Sequence, residues 1–402
     1  MPSYPKNYPF YSWMPKPLGI IILLFFFLPI LTVGGVYSVN STEMMSGLGI
    51  ISEHIQFANF VTSIGMAAFA PFLYQLVCVR REKMMCIVGF AFMYIFSYIC
   101  AKTDSVFLLA LCSLLTGFLR MVLMMVNLFT LIWYAGGMEA TRNITPGLEP
   151  KDASGWNKLD IDRCVSQPAV YLFFMILGQS GTALTAWLSF EYEWKYVYYF
   201  MMGILLVSIL LLFITMPNYK FPGRFPINFR KFGNVTAFCV SLTCLTYVLV
   251  YGKVLDWYDD ESIRWATAVS ILFAGIFLYM DARRRSPYVL LDAFKLRTIR
   301  MGALLYLLLM VINSSAMFVN VFAGVGMHID NLQNAALGNW CMVGYAIGAV
   351  LAMALGSKGL HFKYLFAMGF FFLSLSAVFM YFEVQNAGML ERMKWPVVIR
   401  AT

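Results

Sequence analysis

Apolar blocks of about 20 residues recur along this chain between short polar stretches, and this pattern constrains the fold more than any other feature. A helix of about 20 residues crosses a hydrocarbon core of roughly 30 Å. The residues are 61% hydrophobic and only 12% charged, whereas an ordinary soluble domain has about 25% charged residues. The sequence therefore predicts an all-α, polytopic membrane helix bundle.

Eleven complete spans are predicted from apolar length. The fourth block is longer than a bilayer needs, so we expect it to tilt or to protrude into the following polar loop. A further apolar stretch begins at Trp395 and would be the start of a twelfth span. The eleven predicted spans are residues 18–37, 55–77, 84–101, 105–134, 168–190, 196–216, 233–251, 263–280, 301–325, 335–355 and 362–382.

Basic residues sort to one side of these spans. If the N-terminus is cytoplasmic, 21 of the 29 Lys and Arg residues fall in cytoplasmic loops and span ends, and 6 fall on the opposite side. Arg120 and Arg400 lie within apolar sequence. Such a bias is the usual topological rule for membrane proteins, so the net charge of +9 does not require a nucleic-acid partner.

No pattern of catalytic or metal-binding residues occurs in the sequence. The eight cysteines lack CxxC spacing and most lie in apolar blocks, where Cys behaves as a small hydrophobe. The three histidines are far apart, and there is no GxxxxGK[ST] phosphate-binding loop. We therefore expect neither an enzyme nor a bound metal or cofactor.

The fifth block, GTALTAWLSFEYEWKYVYYF at 181–200, resembles a known family. It is similar to the fifth helix and following turn of the fourteen-span drug:proton antiporters of the major facilitator superfamily, the EmrB/QacA type. Thr182 stands where the family has proline, and Thr185 and Ala186 replace two glycines. The matching residues are Gly181, Leu184, Trp187, Leu188 and Trp194.

Two further stretches are similar to that family and follow in the same order: GKVLDWYDDESI (Gly252 to Ile263) and SPYVLLDAFKLRTIR (Ser286 to Arg300). The resemblance implies an N-terminal six-helix bundle at 1–218, two inserted helices with a cytoplasmic connection at 219–296, and the start of a second six-helix bundle at 297–402. The second bundle would be incomplete, with a truncation at its C-terminal end, because the family has further spans.

The same resemblance implies a function. The expected protein is a multi-pass secondary transporter of a bacterial inner membrane, exporting small amphipathic compounds in exchange for protons by alternating access. Its partners would be a small-molecule substrate, protons, the lipid bilayer, a periplasmic adaptor and an outer-membrane channel. The alternative is a truncated or degenerate remnant without transport activity, because the family's first-helix Asp has no counterpart in FLPILTVGGVYSV.

Arg120 is the one charge deep inside a predicted span. An intramembrane Arg costs at least about 2.5–3.5 kcal/mol unless it faces a cavity or a partner. The family's fourth-helix motif R-x-x-x-G has its Arg where Ser113 precedes Gly117, and Arg120 lies two turns further on nearly the same face. A displaced substitute for that Arg, a structural bond to helix carbonyls and snorkelling all stay open.

Six amide side chains within the predicted spans are costly in lipid unless they are hydrogen-bonded. We expect them to line the substrate cavity or to join neighbouring helices. These residues are Gln56, Asn59, Asn127, Gln179, Asn313 and Asn320.

Two polar clusters border the second span. Arg80, Arg81 and Lys83 occupy the position of the superfamily's gating loop, although no Asp precedes them, and a plain cytoplasmic basic cluster is the alternative. Glu53 and His54 are candidates for a proton relay, with solvation at the membrane interface as the ordinary alternative.

Overall fold

The computed structural model describes the chain in segments separated by short gaps. The described residues are 9–32, 44, 47, 51–69, 72, 82–103, 105–142, 158–218, 230–283, 287, 294–314, 330–358, 362–385 and 390–402. Within these segments the secondary structure is helical, and no strand occurs among them.

Thirteen α-helices follow one another in these segments, with a short 3-10 turn at Trp257–Asp259 between the seventh and the eighth. Their bounds are α1 Lys16–Thr32, α2 Ser52–Ala68, α3 Glu82–Lys102, α4 Val106–Arg142, α5 Lys158–Glu191, α6 Trp194–Thr215, α7 Arg230–Tyr251, α8 Glu261–Ala282, α9 Arg297–Ser314, α10 Asn331–Asn339, α11 Cys341–Ser357, α12 Phe362–Gln385 and α13 Leu390–Ala401.

The predicted class, an all-α polytopic membrane bundle, is confirmed. Among the described residues, eight stretches are long and apolar enough to cross a membrane, and each overlaps a predicted span. The remaining predicted spans, 18–37, 55–77 and 301–325, begin in α1, α2 and α9, and their second parts lie outside the described residues. The predicted domain boundaries at 218 and 296 stay a prediction.

Two helices differ in detail from the predicted spans. α4 has 37 residues and is therefore about 55 Å long at 1.5 Å per residue, so it extends well beyond a hydrocarbon core of roughly 30 Å. The span predicted at 335–355 is interrupted at Trp340, whose backbone N–H donates to the carbonyl of Leu337, 3.2 Å away. This three-residue spacing tightens the helix locally and separates α10 from α11.

The chain divides into two compact units, one of residues 1–137 and 191–300, the other of 138–190 and 301–402. In the first unit, α1, α3, α4 and α6 share an apolar core that includes Phe26, Phe90 and Leu123. A second cluster joins α2, α4 and α7 around Ile64, Val122 and Val235. α8 packs against α7, and α7 packs against α2 of the bundle.

In the second unit, α11 and α13 approach closely at two glycines. A Cβ on Gly344 would collide with the carbonyl of Val398, and one on Gly348 with the carbonyl of Thr402. The spacing G-x-x-x-G places both glycines on one helix face, which lets two membrane helices bring their backbones together. α12 joins the same group, since the buried Ser376 hydroxyl donates to the carbonyl of Pro396, 2.8 Å away.

Candidate functional site

Arg120 lies in the middle of α4 and reaches the backbone of α1. Its Nη2 donates to the carbonyl of Leu31 over 3.3 Å, while its buried Nε has no hydrogen-bond partner among the described residues. Leu31 lies near the last described residue of α1, and its backbone carbonyl accepts the bond. The contact is therefore a charge-assisted bond that ties α4 to α1.

The amides predicted to line a cavity take different positions. Asn127 is buried, donates to the carbonyl of Leu123 over 2.9 Å and accepts a weak contact from the Cys86 thiol of α3. Gln56 and Asn59 are half-buried on α2. The side chain of Asn313 and all of Asn320 lie outside the described residues.

The fifth-helix motif packs within the second unit. Gly181, Thr185 and Ala186 are buried. The hydroxyls of Thr182 and Thr185 donate to the carbonyls one turn earlier, of Gln179 and Thr182, as Ser and Thr commonly do inside helices. The amide nitrogen of Gln179 lies 2.9 Å from the position of a Cβ on Gly338 in α10, so this face of α5 is in contact with α10.

Lys83, the described member of the predicted gating loop, caps another helix. Its Nζ donates to the carbonyls of Phe213 and Met216, at 3.1 and 2.6 Å. Phe213 is in the last turn of α6 and Met216 directly follows its last residue, and a cation at this end is favoured by the helix dipole. Arg80 and Arg81 lie outside the described residues.

The candidate proton relay contacts α7. His54 Nδ1 lies 2.5 Å from the hydroxyl of Tyr251, and the Ser52 hydroxyl donates to Glu53 over 3.0 Å. His54 precedes the predicted span. Burial lowers the pKa of His54, and the nearby Glu53 carboxylate opposes that shift. The folded environment therefore favours the neutral imidazole, which can exchange a hydrogen bond with the tyrosine hydroxyl.

An apolar cavity of about 360 Å³ lies beside this histidine. Four helices supply its walls: α2, α4, α7 and α8. The lining includes none of the amides predicted from sequence, and its described residues carry no charge. The lining residues are Phe57, Val61, Val106, Phe107, Ala110, Leu111, Leu114, Thr243, Cys244, Tyr247, Tyr251 and Ala266.

Sequence reasoning also missed a buried carboxylate. Asp281, 4% exposed, accepts a hydrogen bond of 2.9 Å from Asn234 Nδ2 between the beginning of α7 and the end of α8. The predicted span ended at residue 280, which placed Asp281 in a loop. Among the described residues, no three His, Cys, Asp or Glu side chains come together as a metal site would require.

The family-like stretch from Gly252 to Ile263 forms a tight turn between α7 and α8. The Trp257 backbone N–H donates to the Gly252 carbonyl over 2.6 Å, and a Cβ on Gly252 would lie 2.7 Å from the Trp257 ring. Asp256 and Trp257 have positive φ angles of 49° and 56°. Asp260 accepts from the Ser262 backbone N–H over 2.7 Å, and the Ser262 hydrogen bonds lower the pKa of this carboxylate.

No known protein family matches the sequence, and no curated protein does. Solved structures do match in fold. A crystal structure of the peptide transporter POT, a mutant in complex with alafosfalin, is 14% identical, with a TM-score of 0.55 over 98% of this chain and 81% of the other. The protein therefore has the fold of a transporter of the major facilitator type, as predicted. The fourteen-span antiporter family is not singled out by this likeness and stays a prediction.

Proposed function

We propose that this protein is a secondary transporter that moves small amphipathic molecules across the membrane by alternating access. The observation that carries this proposal is the transporter fold, which extends over 98% of the chain. In such folds, helical repeats surround a substrate site near the middle of the bilayer and rock about it. The three stretches that resemble drug:proton antiporters favour export of amphipathic compounds. They favour transport over an enzymatic activity.

Proton coupling is part of the proposal and has two candidate sites. The first is Glu53 with His54, whose imidazole contacts Tyr251 and can gain or lose a proton near neutral pH. The second is Asp281, a carboxylate buried beside Asn234. Buried carboxylates within membrane helices are often part of proton pathways.

Two basic residues are proposed to respond to the conformational cycle. Lys83 bonds to carbonyls at the end of α6, and Arg120 bonds to the carbonyl of Leu31 in α1. Each bond joins two different helices, so a movement of those two helices relative to each other would have to break or exchange the bond. Gln56, Asn59, Asn127, Gln179, Asn313 and Asn320 stay predictions as substrate contacts, as does the gating role of Arg80 and Arg81.

The cellular setting is proposed from the sequence. A cytoplasmic N-terminus follows from the distribution of basic residues, and the bacterial inner membrane, a periplasmic adaptor and an outer-membrane channel follow from the family resemblance. The lipid bilayer and a small-molecule substrate are the partners that the transporter fold supports.

A flux assay tests the proposal. The protein is reconstituted into liposomes, and movement of ethidium, an amphipathic cation, is followed under opposite pH gradients. Proton exchange predicts that ethidium moves in the direction opposite to the flow of protons, and that its movement reverses when the pH gradient is reversed. Flux that does not depend on the pH gradient would support transport but contradict proton exchange. Absence of flux for ethidium and for a panel of amphipathic anions and cations would favour the alternative, an inactive remnant.

Two variants assign the proton site. His54→Gln and Asp281→Asn each remove one titratable group while keeping a polar side chain of similar size. Asp259→Asn, in the exposed turn, is the matched control. A proton-coupling residue is identified when its variant retains flux driven by the substrate gradient but loses the dependence on the pH gradient, whereas a merely structural role would lower both.

A further inference from the structure

The cavity of the first unit has the size and chemistry of a small-ligand site. Its volume of about 360 Å³ lies within the usual range for such pockets, roughly 300–1,000 Å³. Along α4 the lining extends from Val106 to Leu114, a length of about 12 Å at 1.5 Å per residue. Phe107 and Leu111 are exposed, so one wall of the cavity is open at its side.

Three aromatic rings stand at one end of this cavity. The ring centroids of Tyr247 and Tyr251 are 4.6 Å apart, and those of Phe57 lie 5.9 and 5.7 Å from them. Clustered aromatic faces attract organic cations, and quaternary ammonium groups most of all. Apart from Phe107, Thr243 and Cys244, the rest of the described lining is aliphatic.

The charges near the aromatic end favour a cation over an anion. Glu53 lies next to His54, which contacts the Tyr251 hydroxyl, and the described lining contributes no basic side chain. The turn that follows Tyr251 is also more acidic than basic. Its charged residues are Asp256, Asp259, Asp260 and Glu261 against Lys253 and Arg264.

We propose that this cavity binds a small amphipathic cation, with its cationic head against Tyr247 and Tyr251 and its apolar body along α4. The ring faces and the nearby carboxylate recognise the charge, while the aliphatic wall provides most of the buried area. This site deepens the proposed function, and rests on it, by naming a substrate class, whereas its occupancy is measured separately from flux.

Cys244 provides a direct probe, because it lines the cavity and is a half-buried free thiol. The full-length protein in lipid nanodiscs is treated with N-ethylmaleimide, and labelling of each cysteine is followed by peptide mass mapping. Cys341, a half-buried free thiol of α11 in the other unit, is the internal control. Dodecyltrimethylammonium is the cationic probe, with dodecanol and dodecyl sulfate as neutral and anionic molecules of the same alkyl length.

The cation is expected to slow labelling of Cys244 about tenfold at ten times its Kd, because only empty sites react. Labelling of Cys341 should stay unchanged. Equal protection by the cation, dodecanol and dodecyl sulfate would overturn the proposal and show a groove for any alkyl group. Absence of protection by the cation would overturn it as well.

Two substitutions locate the bound charge. Tyr247→Ala removes one ring from the aromatic end, and protection by the cation should then fall to the level given by dodecanol. Tyr258→Ala removes an exposed ring outside the cavity and should leave protection unchanged. If both variants keep full protection, the cation does not bind at this aromatic cluster and the proposal is wrong. Because the labelling assay measures binding and not flux, its result does not depend on the outcome of the flux assay.

Discussion

Gly65 of α2 and Gly117 of α4 form a reciprocal close contact between two helices. A Cβ on Gly65 would collide with the carbonyl oxygen of Leu114, and one on Gly117 with the carbonyl oxygen of Thr62. Both obstacles are backbone atoms. They cannot rotate away as the end of a flexible side chain can. The two glycines therefore set the distance between α2 and α4, the helices that also border the cavity.

Gly65→Ala should lower the stability of the folded protein by about 1–3 kcal/mol, because the helices must separate to admit a methyl group. The thermal unfolding midpoint in detergent micelles measures this change. Gly203→Ala in α6 is the matched control, since nothing lies within 4 Å of the new Cβ and Ala is the better helix former. Equal effects of the two substitutions would contradict the close contact.

Most of the fold follows from apolar length, and the sequence was sufficient for that. Each described membrane-length helix overlaps a predicted span. The reason is that a helix of about 20 apolar residues is long enough to cross a bilayer core whatever the order of those residues. The ends were less predictable. The helix predicted at 335–355 is interrupted at Trp340 by a three-residue backbone bond, which the apolar length of the segment does not indicate.

The candidate site depended on contacts between distant segments. Arg120 was identified by its charge in an apolar block, but its bond to Leu31 joins residues far apart in the sequence. The cavity was missed because its aromatic and aliphatic lining uses the same residue types as the core. The burial of Asp281 is not visible in the sequence, because acidic residues are common at the ends of membrane spans and are usually exposed there.

Lys83→Met should destabilise the protein by about 1–2 kcal/mol, because the change keeps the aliphatic stem but removes both bonds to the carbonyls at the end of α6. Lys83→Arg keeps a positive donor and should restore most of that loss. Lys102→Met at the other end of α3 is the control. Chemical denaturation followed by tryptophan fluorescence measures the difference, and equal losses for Lys83 and Lys102 would argue against the helix cap.

Asp256→Val should cost about 1–2 kcal/mol, because a β-branched residue is strained at a positive φ. Asp256→Asn should be nearly neutral, since Asn adopts this backbone conformation readily. Asp259→Val, in the adjacent 3-10 turn, is the matched control for loss of a carboxylate. Proteolysis of the turn between α7 and α8 reports the effect directly, and equal cleavage of both Val variants would contradict the strain argument.

Ser241 of α7 and Ser270 of α8 bond to each other's backbone. The Ser241 hydroxyl donates to the Ser270 carbonyl over 3.0 Å, and the Ser270 hydroxyl donates to the Ser241 carbonyl over 2.9 Å. Ser241→Ala and Ser270→Ala each remove one of these bonds and should each lower the free energy of unfolding by about 0.6 kcal/mol, the average for bonds between membrane helices, and the double variant tests whether the two losses add. Strictly additive losses would mean that the two bonds act independently.

His54 should make the stability depend on pH. Its folded pKa is lowered by burial, so between that value and the unfolded pKa of about 6.5 the unfolded protein binds more protons. The contribution of His54 is therefore complete above about pH 6.5 and is lost as the pH falls through the folded pKa. As the pH is lowered across this range, the unfolding midpoint should fall in the wild type and should fall much less in His54→Gln.

Two further variants separate the causes of this shift. Tyr251→Phe keeps the ring that covers the imidazole and removes the hydroxyl 2.5 Å from Nδ1, so the pH dependence should persist because burial is its main cause. Glu53→Gln removes the carboxylate that raises the pKa of His54, so the loss of stability should move to lower pH. A pH dependence that disappears in Tyr251→Phe would show instead that the hydrogen bond, and not burial, favours the neutral imidazole.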